Sequence, residues 1–90
     1  MSELGPSDSE KIFVNYNVRY TEPDASKPRA WAKIRDIRLK IFENFDGGGF
    51  NFYICEFETL DNATLFRTDF SIEANNSLWG EDAEGQIHYL

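Results

Sequence analysis

Alternating apolar and polar residues predict an opening strand and a later hairpin in this chain. Residues 11–20 alternate throughout, so that one face of an extended segment carries Ile12, Val14, Tyr16, Val18 and Tyr20. Residues 50–60 and 65–74 are rich in aromatic and β-branched residues and flank Asp61-Asn62, a pair that tolerates the backbone of a tight turn. We therefore predict a half-buried strand, followed later by an antiparallel hairpin joining those two runs.

Residues 28–45 are compatible with two structures. On a helical wheel most of their apolar residues gather in one stripe, Ser26 can cap the start, and Gly47 stands just past the end. The shorter run 37–41 alternates as a strand does, but that alternation fails at Phe42. We expect a helix here, and a long strand is the alternative.

The three glycines at 47–49 pose a question of chemistry. A phosphate-binding loop places its glycines after a strand and before a helix, whose N-terminus meets the anion. Here the predicted order is helix, glycines, strand, and no Lys-Ser or Lys-Thr pair follows. We expect the glycines to end the helix or, in the strand alternative, to form a hairpin loop, and in both cases their role is structural.

These elements predict a small α+β domain. We expect an antiparallel sheet of three to four strands with one helix packed on one face. Residues 1–10 read as a disordered lead, and residues 11–90 as a single globular domain. The alternative is an all-β sandwich or small barrel in which residues 31–45 form a long strand. No family motif is recognised in the chain.

Composition indicates a small globular protein of a reducing compartment. The chain has 90 residues, of which 41% are hydrophobic and 16% aromatic, which favours a packed core over disorder. The N-terminus lacks the basic and apolar segments of a signal peptide, and no apolar run reaches the roughly 18 residues of a membrane span. Cys55 is the only cysteine, which excludes an internal disulfide. We expect an intracellular, cytoplasmic protein that does not enter a membrane.

Few residues offer catalytic or metal-binding chemistry. Cys55 and His88 are the only nucleophile–base pair of that type, but Cys55 falls on the apolar face of the predicted hairpin. The acidic loop 80–85 lacks the alternating ligands of a calcium loop, and a single histidine makes a poor start for a zinc site. We expect no enzymatic activity, no metal and no cofactor.

The net charge of −7 is unevenly distributed along the chain. Residues 1–10 carry three acidic groups, residues 11–45 carry eight basic and four acidic groups, and residues 46–90 carry nine acidic groups against Arg67 alone. The basic groups between positions 33 and 40 do not share one helical face and are interrupted by Asp36. Because phosphate contacts need clustered cations, we expect no direct binding of nucleic acid.

The second face of the predicted hairpin is the candidate site. It presents an apolar patch that the hairpin register surrounds with carboxylates, which is typical of a binding surface. The candidate partner-binding residues are Phe50, Phe52, Ile54, Glu56, Glu58, Asp69 and Glu73. In the alternative, the C-terminal segment covers the patch with Trp79, Ile87 and Tyr89.

Two non-catalytic functions are consistent with these features. The first is an acidic protein-binding inhibitor that covers a basic, nucleic-acid-binding surface of a target protein, its carboxylates standing where phosphates would lie. Phage anti-defence proteins and toxin-immunity proteins act in this way, an analogy of size and charge only. The second is a structural or assembly subunit that docks through an aromatic sheet face or an edge strand. The acidic second half of the chain favours the first.

Overall fold

The computed structural model describes residues 13–47 and 49–90. The described part contains five strands and two helices: β1 (Phe13–Tyr20), α1 (Ser26–Ile34), β2 (Lys40–Asp46), β3 (Gly49–Phe57), α2 (Leu60–Asp69), β4 (Leu78–Asp82) and β5 (Ile87–Tyr89). The predicted α+β class with an antiparallel sheet is confirmed, with one more strand and one more helix than expected. The lead predicted over residues 1–10 lies outside the described residues.

One open antiparallel sheet organises the chain, with the strand order β2-β3-β1-β4-β5. The connection through α1 joins β1 to β2 across β3, and the connection through α2 joins β3 to β4 across β1. The first six elements therefore follow the β-α-β-β-α-β order of the ferredoxin-like split motif, and β5 widens the sheet beyond β4. All five strands lie in one layer, so the sheet has one face for the helices and one face without them.

The core lies between the sheet and the two helices. Alternate residues of the two central strands are buried there, among them Val18 of β1 and Cys55 and Phe57 of β3. From α2, Phe66 enters the same cluster, with its ring centroid 5.2 Å from that of Trp31 in α1. Edge-to-face aromatic packing of this kind stabilises a core beyond the area that it buries. Most aromatic residues of the described part lie on this helix side of the sheet.

The predicted hairpin between residues 50–60 and 65–74 is wrong, because the second run begins as helix α2. Thr59 caps this helix, its Oγ1 accepting a hydrogen bond of 3.1 Å from the backbone N–H of Asn62. Asp and Asn are favoured both in tight turns and in the first turn of a helix, so Asp61-Asn62 fits either structure. The helix is favoured here because Ala63 and Phe66 share one helical face, and both are buried.

The helix predicted over residues 28–45 is correct only in its first half. It ends at Ile34, and Asp36 takes the left-handed conformation (φ 55°) usually left to glycine. The backbone N–H of Ile37 then bonds to the carbonyl of Ala32 at 2.9 Å, a Schellman-type stop that closes the helix. The following residues form β2, so neither the full helix nor the long strand over 31–45 occurs.

Gly47 lies in the turn after β2, and Gly49 begins β3. Asp46 pairs with Gly49 at the end of the β2–β3 hairpin, and Gly49 has a φ of 118°, which a residue with a Cβ adopts only with strain. The expected helix stop is therefore wrong and the hairpin-loop alternative is correct.

Candidate functional site

The sheet face turned away from α1 and α2, here called the open face, is the candidate site. Strand registers decide which side chains lie on it, since residues opposite one another across a ladder point to the same side. These residues are Asn15, Asn17 and Arg19 of β1, Lys40, Phe42 and Asn44 of β2, Phe52, Ile54 and Glu56 of β3, Trp79 and Glu81 of β4, and Ile87 and Tyr89 of β5.

Large apolar side chains on the open face reach solvent. Phe42 is 49% exposed, Ile87 54% and Tyr89 55%. Between the outer strands lies a shallow groove of about 320 Å³, walled by Phe42, Ile54, Trp79 and Ile87 over a polar floor that includes Asn17 and Glu56. Apolar walls around a few fixed polar groups are typical of binding surfaces.

Arg19 lies at the centre of the open face, between two aromatic rings. Its Cζ is 5.2 Å from the ring centroid of Phe52 and 5.8 Å from that of Trp79, both within cation–π range. Its Nε is buried and has no hydrogen-bond partner. No carboxylate among the described side chains forms an ion pair with it. The sheet thus holds an ordered guanidinium whose charge the described part of the chain leaves unpaired.

The other polar groups of the open face form a row beside Arg19. Asn17 Nδ2 donates to Asn15 Oδ1 at 2.8 Å, and Asn15 Nδ2 donates to Glu81 Oε1 at 3.3 Å. Glu56 stands opposite Asn17 on one side and Lys40 on the other. With two cations and two carboxylates among the side chains assigned to it, the face is nearly neutral despite the acidic chain.

Three of the predicted partner-binding residues lie together on the open face. Phe52, Ile54 and Glu56 alternate along β3 and are each half-buried, as the strand pattern predicted. Phe50 belongs to the same strand, but its side chain lies outside the described part. The two-residue period of a strand was sufficient to bring these three residues together.

The hairpin register that placed the acidic rim does not occur, and its carboxylates are dispersed. Glu58 follows β3 and pairs with Arg38 at 2.9 Å. Asp69 ends α2, where it accepts a hydrogen bond of 2.8 Å from Trp31 Nε1 and lies 3.5 Å from Arg35. Glu73 lies in the connection after α2. The hairpin register placed these carboxylates around the patch, but α2 replaces the second strand of that hairpin and holds Asp69 against the other helix. Glu58 stays at the edge of the open face, where it lines a pocket with Lys40 and Glu56.

Five residues that shape the open face were not among the predicted site residues. Trp79, Ile87 and Tyr89 were expected to cover the patch in one alternative, but β4 and β5 place them beside it in the same sheet, and the patch becomes larger. Phe42 was assigned to a helix. Arg19 stood on the polar face of a correctly predicted strand, and its importance depends on two rings distant in sequence that no local pattern relates to it.

The candidate catalytic pair does not assemble. Cys55 is completely buried on the helix side of β3, and burial raises the pKa of its thiol to about 12. His88 lies on β5, three strand spacings or about 14 Å across the sheet. Its Nε2 is 2.8 Å from Asp82 Oδ2, and this hydrogen bond is the main reason that the pKa of Asp82 lies below its usual value.

Residues 13–47 and 49–90 contain neither a metal-binding cluster nor a membrane-spanning helix. In that part of the chain no three His, Cys, Asp or Glu side chains come close enough together to hold a metal ion. Neither described helix has the length and apolar character needed to cross a bilayer.

Comparison with known proteins adds no assignment. No protein-family model, curated protein or solved structure matches the chain. The order of elements alone carries no function, because the same arrangement supports many unrelated activities.

Proposed function

We propose that this protein is a non-catalytic protein-binding module that docks through the open face of its sheet. The observation that carries the proposal is the exposure of Phe42, Ile87 and Tyr89 together on a face that neither described helix covers. Soluble proteins seldom leave a large contiguous apolar patch in water unless a partner covers it. Aromatic residues and arginine, which surround this groove, are also the types enriched in protein interfaces.

The charge of the open face favours a protein over a nucleic acid as the partner. A phosphate backbone is bound by several clustered cations. The residues assigned to this face include Arg19 and Lys40 as cations, and Glu56 and Glu81 balance them. The chain as a whole carries a charge of −7, which repels polyanions.

The acidic-inhibitor proposal has weaker support. It relies on the net charge of −7 and on carboxylates grouped around the apolar patch. Of those carboxylates, Glu58 and Asp69 lie next to Arg38 and Arg35 instead. A docking subunit therefore fits the geometry better than a mimic of nucleic acid.

Affinity capture with matched variants tests the proposal. The immobilised wild type is compared with a Phe42→Ser/Ile87→Ser double variant and with an Ile34→Ser control, whose apolar side chain is 80% exposed on α1. We expect a protein captured by the wild type and by the control to be lost from the double variant. Equal capture by all three, or capture of nucleic acid alone, would contradict docking through the open face.

A further inference from the structure

Arg19 gives the open face a chemical preference that goes beyond its apolar surface. Few of the described cations form an ion pair, although the chain has sixteen acidic residues and nine basic ones. Arg35 and Arg38 do so, at 3.5 and 2.9 Å. Arg19 is the cation at the centre of the candidate site, and among the described side chains no carboxylate pairs with it.

The guanidinium is also held in place before any partner arrives. Phe52 and Trp79 stack against it from diagonal positions on the strands that flank β1. Because rotamer freedom is already lost and part of the hydration shell is already removed, pairing with an incoming anion costs less than it would at a free arginine. The Nε atom is buried without a hydrogen-bond partner, so water does not reach that side of the group.

The apolar groove continues in the same part of the sheet. Ile54 is directly opposite Arg19 on β3, and Phe42 is directly opposite Ile54 on β2. A ligand that reached the guanidinium would therefore lay neighbouring apolar groups on Ile54 and Phe42, one and two strand spacings or about 5 and 10 Å away.

We infer that the open face binds a partner segment in which a carboxylate side chain lies beside apolar residues, the carboxylate pairing with Arg19 and the apolar residues filling the groove. This inference rests on the proposed protein-binding function and names its ligand chemistry. The expected partner segment is acidic and apolar, whereas the net charge of the chain alone would favour a basic partner. A planar guanidinium between two rings matches a carboxylate through two parallel hydrogen bonds, which is a specific as well as a strong contact.

Two capped peptides probe this chemistry directly. Ac-Leu-Glu-Phe-Leu-NH2 and Ac-Leu-Gln-Phe-Leu-NH2 differ only in the carboxylate, and both are titrated into the labelled protein and followed by NMR at Arg19 Nε–H and Trp79 Nε1–H. We expect the Glu peptide to bind about tenfold more tightly, the ratio given by one favourable charge-assisted contact. In Arg19→Gln the two peptides should bind equally, and Arg19→Lys should recover only part of the difference, because it keeps the charge without the planar fork.

The outcomes separate this inference from the proposed function. If both peptides bind the open face equally and Phe42→Ser weakens both, docking on this face stands and the carboxylate preference is overturned. If neither peptide shifts an open-face signal, or if the preference for Glu survives in Arg19→Gln, the inference is also overturned. A thymidine octanucleotide is titrated in the same way. If it shifts the Arg19 and Trp79 signals more than the Glu peptide does, the group bound is a phosphate, which contradicts both proposals. Backbone spectra of Arg19→Gln and Arg19→Lys verify that each variant is folded.

Discussion

At the scale of single residues, the absence of a side chain at Gly80 determines where the ring of Phe13 lies. A bulge between Phe13 and Asn15 turns the Phe13 ring to the helix side of the sheet. There the ring lies 5.7 Å from that of Tyr16 and 5.3 Å from that of His88. The space that it occupies exists because position 80, on the adjacent strand β4, is glycine.

Substituting Gly80 by alanine should destabilise the protein. The added Cβ would lie 2.8 Å from Cγ of Phe13, which is closer than van der Waals contact allows, so the ring must move. We expect a loss of about 1–3 kcal/mol in the free energy of unfolding, measured by urea denaturation. Gly47→Ala is the matched control, because no atom lies within 4 Å of its added Cβ. Equal stabilities for the two variants would show that Phe13 is not held in this way.

At the scale of elements, the two helices are joined by a contact at their C-terminal ends. Asp69 of α2 accepts a hydrogen bond of 2.8 Å from Trp31 Nε1 of α1, and Arg35 stacks on the Trp31 ring at 4.9 Å. The Arg38–Glu58 ion pair is shorter than the Arg35–Asp69 pair, at 2.9 Å, but both of its side chains are mostly exposed. The shorter distance does not make it the stronger contribution, since water and salt screen exposed pairs.

These two carboxylates should therefore differ in their effects on stability. Asp69→Ala leaves the Trp31 indole N–H without its partner and should cost about 1–2 kcal/mol in the free energy of unfolding. Glu58→Ala, its matched control, should cost less than about 0.5 kcal/mol. Urea denaturation of both variants measures the difference. A larger loss for Glu58→Ala would mean that the exposed pair, and not the indole contact, joins these elements.

The β4–β5 turn is organised by the side chain of Asp82. Its Oδ1 accepts hydrogen bonds from the backbone N–H groups of Glu84 and Gln86 at 3.0 and 2.9 Å, and Oδ2 pairs with His88. The hydrogen bond with His88, followed by the one from Gln86, lowers the pKa of this carboxyl from 3.8. One side chain thus sets the geometry of the hairpin that brings Ile87 and Tyr89 to the open face.

The stability contributed by Asp82 should depend on pH. Its pKa is lower in the folded than in the unfolded chain, so the contribution is complete above the ordinary pKa of 3.8 and is lost as the pH falls below it, through the folded value. Asp82→Asn should therefore lose part of the acid sensitivity of unfolding, and amide exchange should increase over residues 83–89 at neutral pH. If the free energy of unfolding of this variant falls at acid pH as much as that of the wild type, other carboxyls account for the acid sensitivity.

At the scale of the whole molecule, the sequence predicts the alternation within a strand but not the order of strands in the sheet. The alternation from Asn15 to Tyr20 and the shared face of Phe52, Ile54 and Glu56 were predictable, because a strand repeats every two residues. The bulge between Phe13 and Asn15 interrupts the alternation predicted over residues 11–20. The insertion of β1 between β3 and β4 was not predictable, since each pairing joins segments tens of residues apart and no local pattern encodes it. Asp69 was misplaced for this reason, because its expected position assumed a strand paired with β3, whereas it ends helix α2 beside α1.

The same topology produces the functional proposal. Because both helices lie on one side, the aromatic residues that β2, β4 and β5 contribute to the other side add to those of β3 instead of covering them. Arg19 reaches the centre of that surface only because β1 is the middle strand. The open face is nearly neutral although the chain carries a charge of −7, because the strand order decides which charged residues lie on it.

Cross-saturation NMR on the complex with the captured protein partner tests the central claim most directly. The account predicts that signals of Phe42, Ile54, Trp79 and Ile87 are attenuated in the complex, while those of the helix-side residues Ile34 and Leu65, which are also exposed, are unaffected. Attenuation at Ile34 and Leu65 with the open-face signals unchanged would contradict the account.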